Sequence, residues 1–239
     1  MLRKRITSRF VKTLGGAAAV TLLLGVSSAG ALEIAPDGNQ VTIGTADIGK
    51  SFDIDWSTSA GANKPQLTAN SVWTILGFSS NSLSLKISLT NSTVDTATFH
   101  SAITTFGAGV TPNATGSFAP GGQGAIFKNV SAGKGPQQTF PGGFKGIDLC
   151  VSSAGCAGGS FQDGLHSGVT DIMTIILTAA FGTTPETTLA FFPIKFQTSA
   201  GSFEVAGQVS TVPLPTTLPL LAVALVGLVM LRKKQRSGA

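Results

Sequence analysis

The sequence predicts an all-β exported domain, an antiparallel sandwich or jelly roll, preceded by a signal peptide and followed by a transmembrane helix. Three observations predict it. Apolar and polar residues alternate with a period of two in the interior of the chain. Gly, Pro, Asn and Ser punctuate those runs every few residues. The basic residues gather at the two ends, each group beside an apolar stretch.

The first element is residues 1–31, with five basic side chains and no acid. Arg3, Lys4, Arg5, Arg9 and Lys12 precede an apolar run over 14–26, and small residues follow as far as Ala29-Gly30-Ala31. This order is that of a secretory signal peptide, whose peptidase admits only small side chains at the positions of Ala29 and Ala31. The mature chain is expected to begin at Leu32. The apolar run is too short to span a bilayer core as an anchor. Ser8-Arg9-Phe10-Val11-Lys12 resembles a twin-arginine motif with one arginine missing, so the general secretory route is the expectation.

Residues 32–211 make the second element, long enough for one domain with a sizeable core. Leu83, Leu85, Ile87 and Leu89 alternate with Ser84, Lys86 and Ser88, which buries one face of a strand and wets the other. The run 72–76 lies just upstream, and turn residues over 77–82 join the two as a hairpin. Further β-like runs cover 41–43, 51–56, 98–106, 125–130, 146–151, 171–178, 189–196 and 202–209. No capped amphipathic helix and no repeat of fixed period interrupts them. Such a series of short strands implies two packed antiparallel sheets. Segments 111–124 and 131–143, rich in Gly, Pro and small polar residues, read as surface loops around a short strand near Phe127.

The third element begins at Val212, and the segment between Val209 and Pro213 is expected to link the domain to it. Val212-Pro213-Leu214-Pro215 leads through Thr216, Thr217, Leu218 and Pro219 into an unbroken apolar run over 220–231. Arg232, Lys233, Lys234 and Arg236 follow. From 212 to 231 a helix would measure about 30 Å, the thickness of a hydrocarbon core. The prolines stand at its entry, where a missing N–H costs least. The basic cluster is expected to stay cytoplasmic, leaving residues 32–211 outside.

That four-part order resembles the PEP-CTERM sorting signals, in the variant named for its V-P-L-P-A signature; Thr216 stands where that variant has alanine. The resemblance implies an exosortase in the inner membrane as the partner, in bacteria that make exopolysaccharide. A second stretch, Phe191-Phe192-Pro193-Ile194-Lys195-Phe196-Gln197 with Gly201-Ser202-Phe203-Glu204-Val205-Ala206-Gly207, is similar to the closing strands of the two-cysteine "cistern" group of such proteins. Here Phe192, Ile194 and Phe196 share a face, and a hairpin turns through Ser199-Ala200-Gly201.

Charge excludes one class of function. The net charge is +5, but the interior holds seven lysines, no arginine and all eleven acids, a balance of −4. With its cations at two membrane-facing ends, the chain is not expected to bind nucleic acid.

Candidate chemistry is sparse. Cys150 and Cys156 are the only cysteines, and a close pair in an exported chain is expected to form a disulfide. A metal or redox reading would need more ligands or a C-x-x-C spacing. His100 and His166 are the only histidines, and no Gly-x-Ser-x-Gly elbow accompanies them. Asp53 and Asp55 project to one side of a strand, with Phe52 and Ile54 inward. The two carboxylates suit either calcium or glycoside chemistry, or simply a solvated face. Gly121-Gly122-Gln123-Gly124 lacks the lysine and helix of a phosphate loop. No catalytic residue, cofactor or metal site is assigned. The expectation is a non-enzymatic surface or matrix protein associated with exopolysaccharide or biofilm, with a carbohydrate- or calcium-binding module as the alternative.

Overall fold

The structure, a computed structural model, describes residues 32–132 and 140–211. Among them the strands are β1 (Glu33–Ile34), β2 (Gln40–Gly44), β3 (Ser51–Ser59), β4 (Gln66–Phe78), β5 (Ser82–Asn91), β6 (Ser101–Thr111), β7 (Thr115–Phe118) and β8 (Asn129–Ala132). They continue as β9 (Leu149–Ser152), β10 (Leu165–His166), β11 (Thr170–Thr178), β12 (Glu186–Ala190), β13 (Pro193–Thr198), β14 (Gly201–Ala206) and β15 (Gln208–Thr211). Every helix among the described residues is a single 3-10 turn.

Two antiparallel sheets result. One has six strands in the order β15-β3-β4-β5-β11-β7. Its strands alternate buried and wet residues as the sequence does, with Leu83, Leu85, Ile87 and Leu89 all fully buried. Phe52 and Ile54 point inward on β3, while Asp53 and Asp55 face out. The other sheet has nine strands, β1-β2-β12-β6-β13-β14 with β8, β9 and β10 attached. Its centre is β6, which β12 and β13 line in succession along one edge and β9 and β10 along the other. Aromatic rings join the sheets: Trp73 stacks near Phe52 at 5.9 Å and meets Phe106 and Phe192 edge-on at 6.3 and 5.7 Å.

The nine-stranded sheet is covered on its outer side as well. Phe140, Ile147 and Cys150 form a small second cluster, with Phe144 and Cys156 against it. A disulfide joins Cys150 to Cys156 across a Cα separation of 5.9 Å. Ten successive residues of β6 are therefore buried, and the strand shows no alternation.

Several expected elements are redrawn. The strand expected over 125–130 starts only at Asn129, because the backbone N–H groups of Ala125, Ile126 and Phe127 donate to the carboxylate of Asp171 at 2.7–2.9 Å instead of to a ladder. Segment 111–124 contains β7, which pairs with β11. The run 202–209 divides at Gly207, where the chain leaves one sheet for the other. A Cβ there would run into Ile54 and the Trp56 ring. Ser210 and Thr211, expected in a linker, extend β15 along β3. The run 189–196 divides at Phe191 and Phe192, and this break shapes the site described next. The hairpins of β4 with β5 and of β13 with β14 form as expected, the second through Ser199 and Ala200.

Candidate functional site

Where β12 gives way to β13, Ala190 pairs with Gly109 of β6 and Ile194 pairs with Phe106. Three residues thus stand opposite two, a one-residue bulge. The surplus is taken up by two left-handed residues in a row, Phe191 at φ 69° and Phe192 at φ 39°, in a region that phenylalanine rarely adopts. The turn sends the side chains apart. Phe192 enters the core fully buried, whereas Phe191 remains 49% exposed. Displaced from the ladder, the Phe192 carbonyl accepts from Trp56 Nε1 at 2.6 Å and from the Gly207 N–H at 2.9 Å. The bulge is therefore fastened to both sheets.

Phe191 lines a cleft of about 190 Å³ together with Gly109, Val110, Thr111, Asn113, Gly146, Asp148 and Ala190. Glycine is required at 109, because a Cβ there would strike the Gly146 carbonyl and lie 3.1 Å from the Phe191 ring. Asp148, only 3% exposed, also lines the cleft. Its N–H donates to the Ala108 carbonyl at 3.1 Å, and its Oδ2 accepts from the Val110 N–H at 2.8 Å, so the side chain extends the β9–β6 ladder. Oδ1 is buried with no hydrogen-bond partner. Burial pushes the carboxyl pKa above its ordinary value, and the bond from Val110 only partly opposes that. The lining thus combines an aromatic ring, a carboxyl whose Oδ1 is closed to solvent and small polar groups, with no cation among them.

The residues singled out from the sequence do not meet here. Asp53 and Asp55 lie on the outer face of β3; burial, then the charge of Asp55, raises the pKa of Asp53. Among the described residues no three His, Cys, Asp or Glu side chains cluster as a metal site. His100 Nδ1–H donates to Asp95 Oδ2 at 3.1 Å. Of the serines near that pair, Ser101 and Ser167 donate to Asp95 Oδ1 at 3.4 and 2.5 Å, and Ser199 Oγ accepts from the His100 backbone N–H at 3.4 Å. The first two serve the acid and none serves the imidazole, which is the wrong wiring for a hydrolytic triad. His166 sits on β10 with its ring edge-on to Phe161 at 4.8 Å. The Gly121–Gly124 stretch lies beside β11, where the N–H and carbonyl of Gly122 both pair with the chain and Gly124 leaves room for the Asp171 carboxylate.

The Cys150–Cys156 disulfide lies beside the site in the chain, since Cys150 is two residues from Asp148. Ala29, Ala31, Val212, Pro213, Leu214, Pro215, Arg232, Lys233, Lys234 and Arg236 lie outside the described residues. Sequence reasoning missed Asp148, Gly109 and Gly146. Their signals were present: an acid inside the apolar run 146–151, and Gly107-Ala108-Gly109 inside a strand, a mark of close backbone approach. No protein-family model, no curated protein and no solved structure matches the chain.

Proposed function

We propose that this chain is a non-enzymatic exported surface or extracellular-matrix protein, sorted by an exosortase at the inner membrane and associated with exopolysaccharide or biofilm. One observation carries the reading: Val212-Pro213-Leu214-Pro215, an apolar run over 220–231, and then Arg232, Lys233, Lys234 and Arg236. Two features of the domain support it. Every described strand precedes Val212, so cutting the tail would take nothing from either sheet as described. The Cys150–Cys156 bond suits an oxidising compartment outside the cytoplasm. The non-enzymatic half draws on the wiring of Asp95, which engages Ser101, Ser167 and His100.

Deleting residues 212–239 tests the proposal. Intact mass and surface display in the producing cell are expected to change together. A deleted protein displayed like the parent, at the mass the parent reaches after processing, sinks it. The alternative, a carbohydrate- or calcium-binding module, gains support on its carbohydrate side from the cleft at Phe191 and Asp148. For calcium, which takes about 6–8 oxygens, Asp53 and Asp55 supply two carboxylates, and no third acid joins them among the described residues.

A further inference from the structure

The two sheets differ on their outer sides. The nine-stranded sheet carries the cluster of Phe140, Ile147 and Cys150, whereas on the six-stranded sheet Val72, Leu76 and Ile172 stay 39%, 48% and 53% exposed. The registers set them on one face. Asp53, Val72, Ser88 and Ile172 stand side by side across β3, β4, β5 and β11, since directly paired residues point the same way. Ser51, Thr74, Lys86 and Thr174 form the next row. The apolar strip of Val72 and Leu76 on β4 therefore runs between two acids on β3, Asp53 and Asp55, and a cation on β5, Lys86. Among the described residues none of these three charges makes an ion pair. Within one chain they do not meet: Asp53 and Lys86 are two strands and one row apart, about 12 Å along the sheet.

We infer that two copies of this chain pair through the outer face of the six-stranded sheet, Lys86 of each facing Asp53 and Asp55 of the other. A two-fold axis crossing β4 between Val72 and Thr74 exchanges the β3 side for the β5 side, so the face is complementary to itself in charge. The apolar strips then meet along the axis. The size is adequate as well. β3, β4, β5 and β11 each have nine residues or more, which makes a face of about 30 Å by 19 Å. Its plan area of about 600 Å², before the relief of the side chains is added, is on the scale of the roughly 800 Å² per partner in a standard interface. A sugar would find no platform here, because no aromatic ring points outward from these four strands. The inference does not rest on the sorting reading, and either can hold without the other.

The test is sedimentation velocity on the full chain, held in a detergent matched in density to the buffer, at about 1–100 μM to bracket micromolar affinity. The parent is expected to pass from monomer to dimer over that range. Lys86→Asp sets acid against acid, and Val72→Asp puts a charge into the apolar strip, so each weakens pairing about ten-fold or more. Both side chains point to solvent, and the melting temperatures should hold. Combining Lys86→Asp with Asp53→Lys and Asp55→Lys exchanges the signs and restores the dimer, which separates lost pairing from lost folding. In the producing cell, Thr74→Cys lies beside the axis and should give a dimer-sized band without reductant. Val94→Cys, 76% exposed beyond the end of β5, should not. A chain monomeric at every concentration overturns the inference and leaves the face to lipid, glycan or another protein. So does a dimer indifferent to both single variants, as one formed through residues 212–239 would be, or a cross-link as strong at 94 as at 74.

Discussion

Two adjacent phenylalanines of the same type carry different loads. Phe192 is fully buried between Phe52 and Trp73, and removing it leaves a void that neighbouring rings cannot close. Phe192→Ala is expected to cost about 3–5 kcal/mol in urea unfolding. Phe191→Gly gives up half-buried apolar surface but relieves a left-handed phenylalanine, so its stability should stay within about 1 kcal/mol of the parent. A large loss at 191 would mean the ring is there for the fold. Asp148 makes a prediction about pH. Its folded pKa is raised by burial, so the neutral carboxyl favours the fold. That stability is present below the ordinary carboxylate range and is lost as pH climbs through the raised value. Asn at this position keeps an acceptor for the Val110 N–H and cannot ionise. Asp148→Asn should therefore unfold with a flatter pH dependence and gain relative stability toward neutral pH. An unchanged slope across a pH series of urea titrations would contradict the assignment. Asp53, raised by burial and by Asp55, contributes with the same sign.

At the scale of elements, the disulfide belongs to the outer cluster and not to the main core. It closes a short loop next to the cleft wall, and the chain-entropy estimate for such a loop is about 2 kcal/mol. Cys156→Ser should cost about that much. Hydrogen exchange should quicken over 146–150 before it does in β4 or β5, since the six-stranded sheet shares no residue with this cluster. Uniform quickening would show that the two clusters unfold as one. The elements also differ in how far they could be read in advance. β5 and β11 have one face on the core and one in water, so a period of two survives in their residues. β6 is covered on both faces, and its buried residues run on without alternation. β8 was placed early because the apolar residues Ile126 and Phe127 look like strand, while their backbone is claimed by Asp171 from β11, more than forty residues away.

For the whole molecule, the all-β class and the paired cysteines were legible because each is a local pattern. The cleft was not, because it is assembled from three distant places: Gly109 on β6, Gly146 and Asp148 before β9, and Phe191 at a bulge. No window along the chain holds them together, and the bulge exists only once Ala190 and Ile194 have chosen partners on β6. The order of the chain has one more effect. β15, the last described strand, is the outermost neighbour of β3, one of the first, with Thr211 opposite Phe52 and the Val209 N–H bonded back to Gly38. A polypeptide emerging N-terminus first therefore carries β3 with an unpaired border until residue 211 is free, a stretch on which stray strands can add. Closure of the six-stranded sheet waits for the end of the domain, and whatever escorts the growing chain must shield that border until then.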